Sequence, residues 1–282
     1  MNLHTHTDFC DGKGTPRDFV KKAIELKFSY LGFSAHAPIN IPCVWALPTE
    51  KLDDYCDTIV GLQAEFSKKL TLFHGFEIDF LEGIGFPSLS IERIQSAQFF
   101  ICSIHFLNIH NGQPNSTPRY IEIDGAYSQF MLAMKGHQYS LKKLLSNFLS
   151  TTEKMIQTPV SGEGVKIIGH VDKVVLNAQQ LPEFEHLSDW FYDALLRILI
   201  EHLLEYDYVE INTRALYKKG LSQPYPRFVL LEALQEHQIP LLLNSDAHHP
   251  SEIAGGYKEC LDKLTSLTNI NPNNLQFQWP KK

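Results

Sequence analysis

Two histidines separated by a single residue stand near the start of the chain, in the segment MNLHTHTDFCDG. If this segment is a strand, His4 and His6 point to the same side of it, because side chains two residues apart share a face. Imidazole and carboxylate groups together suit Zn, Mn or Fe, so the nearby Asp8 and Asp11 are relevant as well. The segment raises the hypothesis of a metal site, which depends on where the other acids and histidines fall.

The other candidate ligands occur at the ends of predicted strands. Each later strand ends in a potential metal ligand or anion binder: His36; Glu77 and Asp79; His105; His170 and Asp172; Asn212 and Arg214; and Asp246, His248 and His249. These are more ligands than one ion can use, and two or three ions bridged by a carboxylate would account for the supply. The near absence of thiolates argues against a structural zinc knuckle.

The elements that must position these residues alternate between strand-like and helix-like runs. Strands are predicted in NLHTH, YLGFSAH, LTLFHGFEIDF, FFICSIHFL, VKIIGH, YVEINTRAL and IPLLLNSDAH. Helices are predicted over DFVKKAIELK, TEKLDDYCDTIVGLQAEFSKK, LSIERIQSA, residues 127–155, SDWFYDALLRILIEHLLEY and PYPRFVLLEALQEHQ, and after Pro250. Thr15, Pro16 and Asp18 are typical of the start of the first helix. Residues 108–124 are polar and are predicted to form a long loop.

This order of elements predicts a parallel barrel. The runs VKIIGH and IPLLLN are continuously apolar, as strands buried on both faces of a parallel sheet are. Repeated β-then-α units with such strands indicate a closed or nearly closed barrel. All strand C-termini of such a barrel meet at one face, which holds the active site. The scattered candidate ligands are therefore expected to converge on one patch.

Composition narrows the class of protein. The chain has 282 residues and a net charge of −7, which argues against a surface for nucleic acid or an anionic membrane. Its apolar runs are too short to span a bilayer. Five cysteines without a CxxC pair, and a start without a signal peptide, favour a reducing, cytoplasmic location. Residues 1–282 are predicted to form one barrel domain, with an insertion at 108–160 on the substrate side and a polar tail at 266–282.

Six motifs carry a resemblance to a known family. HTHTDFCDG, GFSAH, GFEID, SIH, GHVD and NSDAH, in this order, resemble the motifs of the PHP (polymerase and histidinol phosphatase) superfamily. Within it, the chain is most similar to the histidinol-phosphatase type, over residues 1 to about 260. The resemblance implies a distorted (β/α)7 TIM-like barrel with a metal site at the C-terminal face of the strands.

The resemblance also implies how a trinuclear site would be shared among these residues. The first ion would be held by His4, His6, Glu77 and Asp246, the second by Glu77, His105 and His170, and the third by Asp11, His36 and His248. Glu77 would bridge two ions, and the residues assigned to catalysis are Glu77, Asp246 and His248. Asp11 lies in a loop with Asp8 nearby, and Asp79 could orient an imidazole or form a plain salt bridge. Two or three divalent ions are expected, and Zn, Mn and Fe all accept these ligands.

The activity implied by the resemblance is hydrolysis of L-histidinol phosphate to L-histidinol and phosphate in histidine biosynthesis. Clustered divalent ions would neutralise the phosphate and lower the pKa of a bound water from about 15.7 towards about 7, giving a metal-bridging hydroxide that attacks phosphorus. Arg214 is the first expected phosphate ligand and Arg119 the second, because a guanidinium group binds phosphate bidentately. Asp172, His249 or metal-bound water could protonate the leaving group, and the sequence does not choose.

Other functions are carried as alternatives. A phosphoesterase of the same superfamily that acts on another monoester or a nucleotide would differ mainly in residues 108–160. A non-catalytic metal-binding protein is disfavoured by the complete ligand set, and an exonuclease module by the absence of a basic stripe. The expected partner is a small phosphomonoester, and apolar faces on the outer helices allow a homodimer without requiring it. The remaining histidines are predicted to be ordinary core or surface residues: His74, His110, His137, His186, His202 and His237.

Overall fold

The computed structural model of the protein describes residues 1–109, 120–203, 206–268, 270 and 275. Its strands are β1 (Tyr30–His36), β2 (Thr71–Asp79), β3 (Phe99–Ser103), β4 (Phe106–Asn108), β5 (Tyr120–Glu122), β6 (Val165–Ile168), β7 (Tyr208–Asn212) and β8 (Leu241–Asn244). Within this part of the chain, six of them form a parallel sheet in the order β1-β2-β3-β6-β7-β8, while β4 and β5 pair antiparallel.

Helices connect the parallel strands and cover the outside of the sheet. They are α1 (Pro16–Glu25), α2 (Leu52–Phe66), α3 (Glu92–Gln95), α4 (Tyr127–Gly136), α5 (Leu141–Gln157), α6 (Val175–Ala178), α7 (Phe184–His202), α8 (Arg214–Tyr217), α9 (Phe228–Glu236) and α10 (Tyr257–Leu267). Thr15 and Asp18 form the predicted capping box at the start of α1. None of the helices in the described ranges is both long and apolar enough to cross a membrane.

The first segment of the chain lies between the two edge strands of the sheet. Asn2 forms a parallel bridge with Leu31 in β1, and Thr5 forms one with Ala247, just after β8. The Asn2 side chain also donates to Ser245 Oγ at 2.8 Å. Together with the six parallel strands, this segment closes the sheet into a ring of seven parallel segments, which confirms the predicted barrel. The predicted strand NLHTH is only partly formed: the segment makes backbone hydrogen bonds to β1 and to Ala247, but as isolated bridges and not as a continuous ladder.

Several predicted elements are divided in the structure. The run FFICSIHFL forms β3 and then β4, in two different sheets, and the chain turns between them at His105. The helical region 127–155 forms α4 and α5, with Gln138 between them at a φ of 54°. The predicted loop 108–124 is wrong at its end, where Tyr120–Glu122 is β5. Residues 110–119 of that loop and most of the polar tail lie outside the described residues.

The barrel interior is apolar beneath the candidate ligands. Leu3, Phe73, Phe99, Ile101, Val165, Ile167 and Leu242 form a separate buried cluster. Phe73 and Glu77 lie on the same face of β2, because side chains in a strand alternate. The Phe99 ring fills the space next to Gly75, where a Cβ would lie 2.3 Å from the ring. Apolar packing therefore forms a floor below the polar end of the same strand faces.

His74 lies on the outer face of β2, as expected, and not in the histidine cluster. Its side chain is buried, with its ring centroid 5.5 Å from that of Tyr55 and 5.1 Å from that of Phe76. Burial, with a smaller contribution from Arg93, lowers the pKa of His74 to about 4. The folded protein therefore holds this ring uncharged at pH values where the unfolded chain protonates it.

His74 is expected to make folding sensitive to acid. Unfolding returns its pKa to about 6.5, so the unfolded chain binds more protons between pH 6.5 and pH 4, and stability falls as the pH drops through this window. The loss from this group reaches about 2–3 kcal/mol near pH 4.5. Urea unfolding of chelator-treated protein at pH 7 and pH 4.5 should show that His74→Leu loses that much less stability than the wild type. His186→Leu, at an exposed histidine, is the matched control. An identical acid loss in wild type and His74→Leu would contradict the prediction.

Candidate metal centre

The nine predicted metal ligands come together at the C-terminal ends of the strands. His4, His6 and Asp11 belong to the first segment, His36 ends β1, Glu77 lies in β2, His105 follows β3, His170 follows β6, and Asp246 and His248 follow β8. Four groups of these residues place their ligand atoms within 4.8 Å of one another, and each could hold a metal ion. The groups are His4, His6 and Asp246; His4, Glu77 and His170; His36, Glu77 and His105; and His6, Asp11, His36 and His248.

Glu77 occupies the middle of this cluster. Its Oε2 lies 3.1 Å from both His4 Nε2 and His36 Nδ1, and its Oε1 lies 2.9 Å from His170 Nε2. Burial opposes its ionisation, but His4, His36 and His105 together hold the pKa of Glu77 well below its ordinary value. An ionised carboxylate with both oxygens directed at imidazole nitrogens has the geometry expected of a bridging ligand.

A second part of the cluster is built around Asp11. His248 Nε2 lies 3.1 Å from Asp11 Oδ2, while His6 Nδ1 and His36 Nε2 are each 3.8 Å from Asp11 Oδ1. The structure therefore brings together the three residues of the predicted third ion and adds His6 to them. Asp8 is exposed and lies outside these groups.

Two further carboxylates orient imidazole rings of the cluster. Glu210 Oε1 lies 2.6 Å from His4 Nδ1, which leaves His4 Nε2 facing Glu77. Asp79 Oδ1 lies 2.8 Å from His105 Nδ1 and also accepts a hydrogen bond from the His105 backbone N–H. A carboxylate on the far nitrogen of an imidazole fixes its orientation and raises its basicity as a ligand.

Unsatisfied buried atoms provide a test of whether a metal fits. His6 Nε2, His36 Nδ1 and Asp246 Oδ1 are buried and make no hydrogen bond among the described residues, although His36 Nδ1 lies 3.1 Å from Glu77 Oε2. A buried polar atom left unpaired costs about 1–3 kcal/mol, so three in one cluster need an explanation. Divalent cations would satisfy all three, since every one is a normal ligand atom. The residues present therefore fit a metal centre.

The electrostatics of the histidines agree with this interpretation. Burial, together with His248 and His36, holds the pKa of His6 well below its ordinary value, and a neutral imidazole is the form that binds metal. Burial lowers the pKa of His4, but Glu210, Asp246 and Glu77 together raise it well above its ordinary value. The part of the cluster around His4 therefore holds an excess of negative charge that a divalent cation would neutralise.

A pocket of about 160 Å³ opens beside the cluster. Arg214, predicted as a phosphate ligand, lines it and donates from Nη1 to the backbone oxygen of Asp246 at 2.8 Å. Asp246 itself has a φ of 52°, a conformation that non-glycine residues seldom adopt and that is common at functional sites. Arg119 lies outside the described residues.

The structure does not bring the two predicted side-chain proton donors into the pocket. Asp172 accepts hydrogen bonds from the Tyr192 hydroxyl and from the Arg227 backbone N–H, at 2.9 and 3.1 Å. Burial raises the pKa of Asp172 to about 7. His249 accepts from the Ser251 backbone N–H at the start of a 3-10 turn and is exposed. Neither side chain lines the pocket.

Comparison with known proteins adds independent information. A family model described as the PHP domain matches residues 2–214. The chain belongs to the PHP domain family. This confirms the family predicted from the six motifs. Asp246 and His248 lie beyond the matched range of this PHP chain. Their inclusion in the candidate site rests on the short distances between their ligand atoms and those of the other candidates.

Individual relatives of this PHP chain agree with the family assignment. It is 27% identical to a Deinococcus radiodurans protein named probable histidinol-phosphatase, with 94% of this chain and 92% of the relative covered. It is 22% identical to the histidinol-phosphatase of Bacillus subtilis, with 92% and 97% covered.

Solved structures share the fold of this PHP chain. One from Listeria monocytogenes, assigned as a histidinol phosphatase, has a TM-score of 0.74 at 20% identity and covers 92% of this chain and 98% of its own. The histidinol phosphate phosphatase of Lactococcus lactis, solved with Zn, L-histidinol and phosphate, has a TM-score of 0.64 at 23% identity, with 88% and 86% covered.

Two charged residues of the candidate site, Lys173 and Glu210, were not predicted from the sequence. Lys173 Nζ lies 3.2 Å from His105 Nε2, 3.4 Å from His170 Nε2 and 3.0 Å from Asp124 Oδ2, and the side chain is almost fully buried in the pocket wall. Its position three residues after His170 gave no strand signal. Glu210 could have been found, because it shares a face of β7 with Asn212, two residues later.

Proposed function

We propose that the protein is a metal-dependent phosphomonoesterase that hydrolyses L-histidinol phosphate to L-histidinol and phosphate. The observation that carries this proposal is the buried cluster around Glu77, whose unpaired ligand atoms lie beside a pocket lined by three cationic side chains, Lys173, Arg214 and Lys219. The names of the curated relatives, and the Zn, L-histidinol and phosphate in the Lactococcus lactis structure, support the choice of substrate.

The cluster would hold two or three divalent ions, of Zn, Mn or Fe. Asp11, His36 and His248 with His6 form one position, and the ligands around Glu77 supply the others. When bound, such ions neutralise phosphate charge and make water a nucleophile at neutral pH. Glu77, Asp246 and His248 therefore act in catalysis as the ligands that define this centre.

The remaining charged groups would position the phosphate. Arg214 is fixed by the backbone oxygen of Asp246 and lies 3.7 Å from Glu252 Oε2, so its guanidinium group is held at the pocket wall. Lys173, in the segment after β6, is fixed by Asp124 at 3.0 Å. Fixed cations stabilise the charge of a phosphoryl transition state without reorganising during the reaction.

The test is phosphate release from L-histidinol phosphate by purified protein, against a panel of other monoesters. The assay is run after chelation and again after adding Mn, Zn or Fe. Strong preference for L-histidinol phosphate that is lost with chelator is the expected result. Broad turnover would instead indicate a phosphoesterase with another substrate. Full activity in chelated protein would exclude the metal-dependent reaction. A cytoplasmic location, a homodimer and the single-domain boundaries stay predictions.

A further inference from the structure

The pocket beside the metal cluster has a second side with different chemistry. The β4–β5 pair places Phe106 opposite Glu122, and the Trp45 indole stacks on the Phe106 ring with a centroid separation of 5.5 Å. Trp45 Nε1 donates a hydrogen bond of 3.0 Å to Glu122 Oε1. Trp45 and Glu122 both line the pocket, and we call them the Trp45–Glu122 wall. This wall combines an aromatic ring with a carboxylate.

The Glu122 carboxylate of this wall is held in place without an ion pair. A Cβ at position 125 would lie 2.8 Å from Glu122 Oε2, so the glycine there leaves room for the carboxylate. Across the described ranges, no cationic side chain forms an ion pair with Glu122. Asp124, the next acid of this segment, is in contrast paired with Lys173 at 3.0 Å. Glu122 therefore contributes to the pocket a carboxylate that is hydrogen-bonded to Trp45 and has no ion-pair partner among the described residues.

The wall and Arg214 lie on different sides of the pocket. β4 continues from β3, whereas Arg214 follows β7, and β6 separates β3 from β7 in the sheet. A phosphomonoester bound through its phosphate at the metal cluster and Arg214 would direct its alcohol part towards the β4–β5 pair. The group that contacts the wall would therefore belong to the alcohol part of the bound phosphomonoester.

We propose that the Trp45–Glu122 wall is a subsite for a positively charged amine on the alcohol part of the substrate. This inference rests on the proposed phosphomonoesterase function and deepens it. A carboxylate forms charge-assisted hydrogen bonds with an ammonium group, and an indole ring attracts a cation. A neutral alcohol of the same size lacks both interactions. The wall thus selects phosphate esters of amino alcohols.

The subsite is tested by binding, so that the result does not depend on turnover. The probes are the non-hydrolysable phosphonate analogue of L-histidinol phosphate and the same compound with hydrogen in place of its amino group. Calorimetry with zinc-loaded wild type should show that the amine increases affinity by about 10- to 100-fold. In Glu122→Gln the ratio of the two affinities, that of the amine probe over that of the deaminated probe, should fall to about threefold or less. The affinity for the deaminated probe should be unchanged.

Two further variants sharpen the test. Gly125→Ala should reduce the ratio in the same direction, because it displaces the carboxylate without removing its charge. Glu236→Gln changes an exposed residue at the end of α9, outside the pocket lining, and should keep the wild-type ratio. An unchanged ratio in Glu122→Gln, or equal weakening of both probes, would overturn the subsite. Amine selectivity that depends on Glu122, in a protein that does not hydrolyse L-histidinol phosphate, would support the subsite and refute the proposed function.

Discussion

Replacing Glu77 with glutamine is expected to lower phosphomonoester turnover by at least about 10³-fold and to reduce the amount of bound metal. The two Glu77 oxygens face nitrogens of His4, His36 and His170, so the substitution removes the charge shared by several ligand groups. An amide also places an N–H₂ group where a ligand oxygen is needed. Turnover is measured by phosphate release, and metal content by mass spectrometry of the dialysed protein.

The matched control for Glu77→Gln is Glu236→Gln, which makes the same chemical change at an exposed position. It should keep wild-type metal content and turnover. Asp79→Asn provides an intermediate case, because it weakens the orientation of His105. It should lower turnover by about 10- to 100-fold. Wild-type metal content and turnover in Glu77→Gln would show that Glu77 is not a bridging ligand.

Lys173→Met is expected to lower kcat/KM by about 10²- to 10³-fold while leaving the metal content at or above that of the wild type. The Lys173 ammonium group lies between His105 and His170 and is held by Asp124. Burial opposes its charge, but Asp124, Asp246 and Glu77 together raise its pKa further above its ordinary value. It is therefore a fixed cation and not a proton donor. Inhibition by inorganic phosphate should weaken in parallel, since product phosphate uses the same contact.

A second lysine separates this effect from a general change of charge. Lys69→Met removes a positive charge from an exposed turn before β2 and should retain wild-type kinetics. Asp124→Asn should produce a smaller loss than Lys173→Met, because it loosens the lysine without removing it. Loss of metal from Lys173→Met, or unchanged inhibition by phosphate, would contradict a phosphate-binding role.

Much of the fold could be predicted because the strands that form it carry a strong local signal. Continuous apolar runs such as that of β8 indicated a buried parallel sheet, and polar residues at their ends indicated the functional face. The first segment was harder, because its pairing depends on Asn2 and on residues near the other end of the chain. The division at His105 was not visible either, since the apolar run continues across it.

The candidate ligands could be named from residue type and position, but their surroundings could not. The order of motifs placed His36, Glu77 and His170 at strand ends, and a parallel barrel brings such ends together. Lys173 follows its strand in an irregular segment, where no periodicity assigns a direction to the side chain. Trp45 lies in a long connection after β1. Its contact with Glu122 arises only when the β4–β5 pair has folded.

The bridges that join the first segment to both edge strands have a consequence for how the protein is made. Asn2 and Ser245 are in contact although they are 243 positions apart in the chain. His4 and His6 therefore leave the ribosome long before Asp246 and His248 exist, and the complete centre cannot assemble on a nascent chain. Because contacts of such high sequence separation are slow to form, closure of this seam is expected to be a late step of folding. Metal uptake would then secure a ring that has already closed, and chelation would loosen it first where the first segment meets residues 244–248.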